Sequence, residues 1–118
     1  MSTDETHSLM NAYFAALATG HFQHLLTDDV TWTTIQNDAE VRGAEAVEAA
    51  VNTLHARISD LQTRQFVVGD QAAYLEGTGA GHDGTDRIPF CVAYDVVGER
   101  IAAMRAYGQL AVFMSPSP

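Results

Sequence analysis

The apolar residues of this chain repeat at one spacing in its first half and at another in its second, and that switch restricts the folds open to it. Leu9, Met10, Tyr13, Phe14 and Leu17 recur at helical spacing, and Val47, Val51, Leu54 and Ile58 fall at i, i+4, i+7 and i+11. From Leu61 onward the period becomes two, the spacing of strands with one face covered. Amphipathic helices followed by a run of alternating strands predict an α+β fold, in which a curved antiparallel sheet wraps around a long helix.

Boundary signals refine this outline. Ser2 with Glu5 three residues on is a capping box, and Gly20 supplies a stop, so the first helix lies between them. Phe22, Leu25 and Leu26 predict a short second helix that ends at Thr27-Asp28-Asp29, after which Val30, Trp32 and Thr34 alternate as a strand. Residues 36–43 read as a loop closing at Gly43, and the stripe from Val47 is the third, longer helix. Strands are expected over 62–68, 72–80, 88–97 and 101–114, with turns at Gly69-Asp70-Gln71, at 82–86 and at Gly98-Glu99. The tail at 115–118, Ser-Pro-Ser-Pro, cannot extend a ladder and is expected to fray. With neither repeats nor a low-complexity linker, residues 1–118 read as a single domain.

Charge excludes some partners. Fifteen acidic residues against six arginines and no lysine give a formal net charge of -9, a field that repels phosphate backbones and anionic headgroups. Neither nucleic acid nor a membrane is expected as a partner. No run approaches the roughly 20 apolar residues that span a bilayer, and the first residues lack a signal peptide's basic start and apolar stretch, so a cytoplasmic location is the expectation. The single cysteine, Cys91, rules out an internal disulfide. Without lysine, Schiff-base chemistry and a P-loop are impossible. Dinucleotide, hydrolase-elbow, zincin and calcium motifs are missing as well, and no organic cofactor is expected. His21 and His24, with Asp28 nearby, make an incomplete ligand set, so no metal is expected either. Any catalysis must rest on carboxylates, histidines, tyrosines, the thiol or backbone dipoles.

The runs YFAALATG, DDVTW, RGAEAV and ERIAAMRAYGQ, set in this order of elements, resemble the SnoaL-like and ketosteroid isomerase-like families of the nuclear transport factor 2-like (cystatin-like) fold. The resemblance covers about residues 8 to 113. It implies a cone-shaped fold whose open end is a pocket between helices and sheet, and a homodimer formed through the sheet's outer face. It also implies that Tyr13 stands where ketosteroid isomerases place the tyrosine that donates to the developing enolate. Their general-base aspartate falls on Thr34 and their protonated aspartate on Cys91, which disfavours a steroid isomerase of that mechanism. The arginine and two aspartates of the similar limonene epoxide hydrolases fall near Gly77, Gly79 and Ala106. That fold carries many chemistries, so the site must decide the function.

Tyr13, on the apolar face of the first helix, is the candidate hydrogen-bond donor to a carbonyl or enolate; otherwise it is a core phenol bonded to backbone. His55 lies one position off the third helix's apolar stripe and can exchange a proton near neutrality; otherwise it is a solvated boundary residue. Asp38, in the loop after the first strand, is the other candidate proton acceptor if it folds over the cavity, and a solvated carboxylate if it does not. Trp32, Thr34, Leu75, Gly77, Cys91 and Met104 are expected to line the pocket, and Gly77 with Gly79 either enlarges it or bends the sheet. Two functions stay open: an enzyme of SnoaL-like type doing proton-transfer chemistry (isomerisation, cyclisation or dehydration) on a small, mostly apolar molecule, or a ligand-binding or dimerisation module with no turnover. Tyr74, Tyr94, Tyr107 and Phe113 all fall in expected strands and cannot all point into one small cone, which favours a homodimer.

Overall fold

Ser2 opens the first helix as its spacing to Glu5 predicts. In the computed structural model, which describes residues 2–81, 87–110 and 113, the Ser2 hydroxyl accepts from the Glu5 amide at 3.2 Å and the Glu5 carboxylate accepts from the Ser2 amide at 3.3 Å. Two donors that the helix itself leaves unpaired are thereby satisfied. Helix α1, Thr3–Leu17, turns Thr6, Leu9, Met10 and Tyr13 inward. It is closed off near Gly20, whose φ of 76° suits a residue without a side chain.

The second helix expected through Phe22, Leu25 and Leu26 is a single 3₁₀ turn, Gln23–Leu25, and Leu26 already begins strand β1, Leu26–Thr34. Two interactions distant in sequence override the local pattern. Leu26 lies beside Ile101 in the sheet, and the amides of Phe22 and Gln23 donate to the Glu48 carboxylate at 2.8 and 3.0 Å. The loop expected at 36–43 likewise holds more order. A 3₁₀ turn, Ile35–Asn37, leads into a short edge strand, β2, Ala39–Arg42, that pairs Val41 with Trp32. Helix α2, Ala44–Arg57, buries Val47, Val51 and Leu54.

Ile58, the expected end of that helical stripe, is instead the first residue of strand β3, Ile58–Val68, and stays buried there. Strands β4, Ala72–Gly81, and β5, Ile88–Val97, follow the sequence expectation closely. Strand β6 runs Arg100–Gly108 and stops short of Met114, at a glycine with φ 119°. The turn expected at 82–86 and the tail at 115–118 lie outside the described residues.

The strand order is β2-β1-β6-β5-β4-β3. Neighbours are antiparallel except β1 and β6, which run parallel. Register shifts interrupt the β1–β6, β3–β4 and β5–β6 ladders. Each local extra residue bends its strand, so the sheet curves instead of lying flat. The result is an α+β molecule with both helices on the concave face. Helix α2 packs on β1, β2 and β3, and α1 on β3 and β4. Thr3 and Thr6 fix the start of α1 by donating to the side chain and carbonyl of Asp70, each at 2.6 Å, in the turn between β3 and β4.

One row of paired residues crosses the whole concave face: Val41, Trp32, Met104, Tyr94, Ala73 and Val68, one from each strand. Met10 of α1 and Val47 of α2 are fully buried in the same core as Val30 and Ile101 of the sheet.

Two outcomes test this packing. A Cβ on Gly77 would lie 2.7 Å from the Gln62 carbonyl oxygen, a backbone atom, so Gly77→Ala should destabilise the protein by about 1–3 kcal/mol in a denaturant titration. The Glu48 carboxylate is held below the usual glutamate range, first by the Gln23 side chain and then by the amides it accepts. A carboxyl with a depressed folded pKa stabilises above its unfolded pKa and loses that contribution as pH falls through the folded value. Glu48→Ala should therefore lower Tm at neutral pH, and the gap to wild type should narrow as pH falls through the carboxylate range.

Candidate functional site

Between the two helices and the curved sheet the molecule keeps a cavity of about 390 Å³. Its making starts in the sequence. The inner alternation of β5 supplies Phe90, Val92 and Tyr94, β4 adds Leu75, and the inner end of β1 adds Trp32. Helix α1 closes one side with Tyr13, Phe14 and Leu17, and α2 the other with Val51, Leu54 and His55. The first half of β3 forms the rim. Leu61, Gln62 and Thr63 sit there, beyond Asp60, whose φ of 51° turns the strand. Arg87 holds that bend, its guanidinium donating to the Asp60 carbonyl at 3.0 Å and to Thr78 Oγ1 at 2.9 Å while pairing with the Asp60 carboxylate.

Tyr13 is almost wholly buried. Its ring meets Phe22 edge-on at 5.4 Å, Tyr94 at 5.8 Å and Phe14 at 5.6 Å, geometries that aromatic quadrupoles favour. Its hydroxyl donates to Met104 Sδ at 3.4 Å. A thioether is a weak acceptor, so a ligand oxygen would make the better partner. Burial pushes the phenol's pKa far above its ordinary value, which keeps it protonated and a donor at every physiological pH. Burial also raises Tyr94, with the nearby Tyr13 adding to the shift.

His55 lines the cavity from the last turn of α2. Burial lowers its pKa below the ordinary 6.5, because the charged ring would lose hydration without gaining a counter-charge. Its imidazole is therefore neutral at pH 7. Among the described residues, no arginine, aspartate or glutamate lines the cavity.

Of the residues singled out from sequence, the structure brings together Tyr13, Trp32, His55 and Leu75 at the cavity wall. The others lie elsewhere. Asp38 caps the turn before β2 in a left-handed conformation, φ 54°, and is exposed, away from the cavity lining. Thr34 is buried beyond Trp32 on the same strand face. Met104 lies beneath the Tyr13 hydroxyl and is fully buried. Gly77 faces inward, with the Gln62 backbone and the Phe90 ring already against it, so it permits close approach of β3 instead of widening the pocket. Cys91 is the clearest correction. It pairs with Glu76 and Tyr107, and since its neighbours Phe90 and Val92 line the cavity, strand alternation turns it to the convex face. There burial and the Glu76 charge raise its thiol pKa. Tyr94, Phe66 and Phe90 are cavity residues that the sequence reading did not place. The bulk of Phe90, Val92, Tyr94 and Val96 at every second position was the available signal. Among the described residues, no group of three or more His, Cys, Asp or Glu side chains could hold a metal ion, and no helix is long and apolar enough to cross a membrane.

The sequence matches no protein-family model and no curated protein. Solved structures match in shape. A steroid delta-isomerase from Pseudomonas aeruginosa is 12% identical, with a TM-score of 0.81 over 93% of this chain and 86% of that one. An NTF2-like protein from Burkholderia xenovorans is 17% identical, with a TM-score of 0.76 over 97% and 96%. A protein with a ketosteroid isomerase-like fold from Catenulispora acidiphila, in complex with trimethylamine, is 18% identical, with a TM-score of 0.67 over 84% and 83%. The chain thus has the nuclear transport factor 2-like fold that its motifs suggested.

Two measurements test the site. Tyr13→Phe keeps the ring packing and removes one bond to sulfur, so thermal unfolding should show a loss of no more than about 1 kcal/mol. For His55 the folded pKa lies below the unfolded one, so the unfolded chain binds more protons and stability falls as pH drops through the unfolded value near 6.5. In His55→Gln that slope should disappear from the Tm-versus-pH curve between pH ~7 and pH ~5.

Proposed function

We propose that this chain binds a small, largely apolar molecule in the cavity between its helices and sheet. The observation that carries this reading is an open space of about 390 Å³ walled mostly by aromatic and aliphatic side chains. Apolar wall left in contact with water is unfavourable, and a ligand that displaces the water removes that cost. The trimethylamine complex of the Catenulispora protein supports small-molecule binding by this fold. Among the described residues, no carboxylate lines the present cavity to receive a cation.

Trp32 is the protein's one tryptophan and lines the cavity, so its emission reports occupancy. Titration with phenylcyclohexanone, about 13 non-hydrogen atoms, should shift that emission with a Kd of order 1 mM, as the usual yield per atom implies. Leu75→Trp fills the space and adds a second fluorophore, so calorimetry is the readout there. An affinity at least tenfold weaker is expected, and unchanged affinity would place the ligand elsewhere.

One observation favours catalysis as a second reading. A neutral imidazole, His55, and a permanently protonated phenol, Tyr13, share the wall. Together they suit proton transfer next to a carbonyl: His55 takes the proton from the α-carbon, and Tyr13 exchanges Met104 Sδ for the oxygen on which charge develops. Asp38 has no part in this scheme. Incubating the ketone with protein in D₂O and following loss of the α-proton signal tests it. Exchange should fall by about 10²-fold or more in His55→Gln, and equal exchange with and without protein would leave binding alone.

The reading includes a homodimer through the convex face of the sheet. Tyr74, Tyr107 and Val67 are exposed there, around a bidentate ion pair in which Arg105 meets Asp95 at 2.5 and 3.1 Å. Tyr94 and Phe113, in contrast, are buried. Sedimentation at micromolar concentration should give twice the 12.7 kDa chain mass, and Tyr74→Glu should shift it towards the monomer.

A further inference from the structure

Besides Tyr13, His55, Gln62 and Thr63, two side chains that carry hydrogen-bond donors line this mostly apolar cavity. Tyr94 is 4% exposed and Trp32 is 5% exposed, and among the described residues neither makes a side-chain hydrogen bond. A sealed, unpaired polar atom is rare and costly. Here the fully enclosed case among the described residues is Thr27 Oγ1. The Tyr94 hydroxyl and the Trp32 indole nitrogen are therefore not sealed in. Both side chains line the cavity. The sheet register places them together, since Trp32 and Tyr94 flank Met104 in the row across β1, β6 and β5. Tyr13 covers the residue between them, its hydroxyl on the weakly accepting Met104 sulfur.

The indole N–H can only donate, and the phenol, held protonated, acts chiefly as a donor. Both ask the ligand for an acceptor. Among the described residues the wall contains no charged side chain, so an ion there would lose hydration with no described counter-charge to replace it. We infer that the cavity selects an uncharged molecule, apolar over most of its surface, whose carbonyl or ether oxygen accepts from Tyr94 and Trp32. This rests on the binding reading above and assigns Tyr94, with Trp32, as the pair that discriminates among ligands. Discrimination of this kind is steep, because a ligand without the oxygen leaves the two donors desolvated and unpaired.

The test compares three probes of one shape on wild type and Tyr94→Phe: phenylcyclohexanone, phenylcyclohexane and phenylcyclohexanecarboxylate, with Trp32 emission and calorimetry as readouts. The expected result is that wild type binds the ketone about tenfold or more tighter than the carboxylate. Tyr94→Phe should weaken the ketone by about three- to tenfold, the usual range for one hydrogen bond. It should not weaken the hydrocarbon, whose binding gains where an unpaired donor is removed. Thermal unfolding of the variant shows whether the fold is intact, and the undiminished hydrocarbon affinity is an internal control for the cavity. Equal losses for ketone and hydrocarbon, or none for either, would overturn the role of Tyr94 while leaving cavity binding in place. Carboxylate binding as tight as ketone binding would overturn the selection for uncharged molecules. Failure of all three probes to bind would overturn this inference together with the binding reading.

Discussion

The contact on which the structure depends is Tyr13 lying across Met104. Met104 sits at the middle of the concave face, with Trp32 beside it on one strand and Tyr94 beside it on the other. The Tyr13 ring, delivered by α1, meets Tyr94, Phe14 and Phe22, and its hydroxyl rests on the Met104 sulfur. This aromatic cluster fixes where α1 crosses the sheet. Phe22 can join it because Glu48 of α2 captures the Phe22 and Gln23 amides, so one contact links both helices to the sheet. Removing the Tyr13 hydroxyl would disturb this little, whereas removing the ring would take away the contact that holds α1 at its height above the sheet.

The cavity follows from that height. A helix propped on a tyrosine and two phenylalanines cannot settle onto the strands at its far side, and the sheet curves away through its bulged ladders. Gly77 and Gly79 let β3 press against β4 and the Phe90 ring, which tightens the curve. The same arrangement explains the electrostatics. Burial holds His55, Tyr13 and Tyr94 in their neutral forms, lowering the imidazole's pKa and raising those of the phenols. Among the described residues the wall offers hydrogen bonds without charge, from the tyrosines, Trp32, Gln62, Thr63 and the neutral His55 imidazole.

Much of this was legible in the residues. The capping box placed the start of α1, the Val47-Val51-Leu54 stripe placed α2, and β4 and β5 matched their alternation almost to the residue. Legibility failed where a distant partner decided. Phe22-Leu25-Leu26 has helical spacing, yet Leu26 is drawn into the sheet beside Ile101. Val41 is a lone apolar residue in a polar stretch and becomes a strand only by pairing with Trp32. The site suffered most in β5, where period two leaves a choice of face. Assigning Cys91 inward implies turning Tyr94 outward, and a single such choice exchanges the whole wall. Asp38 shows the limit of reading loops, since its left-handed backbone and exposure depend on a turn that no motif announced.

Intermolecular nuclear Overhauser effects test the account's central claim, a ligand seated between helices and sheet, most directly. With the protein methyl-labelled and phenylcyclohexanone near saturation, the account predicts cross-peaks from the ligand to Val51 and Leu54 of α2, Leu75 of β4 and Val92 of β5, which surround one space from three directions. Val67 and Val97, exposed outside the cavity lining, should show none. Cross-peaks confined to Val67 and Val97, or their absence from the four cavity residues at saturation, would contradict it.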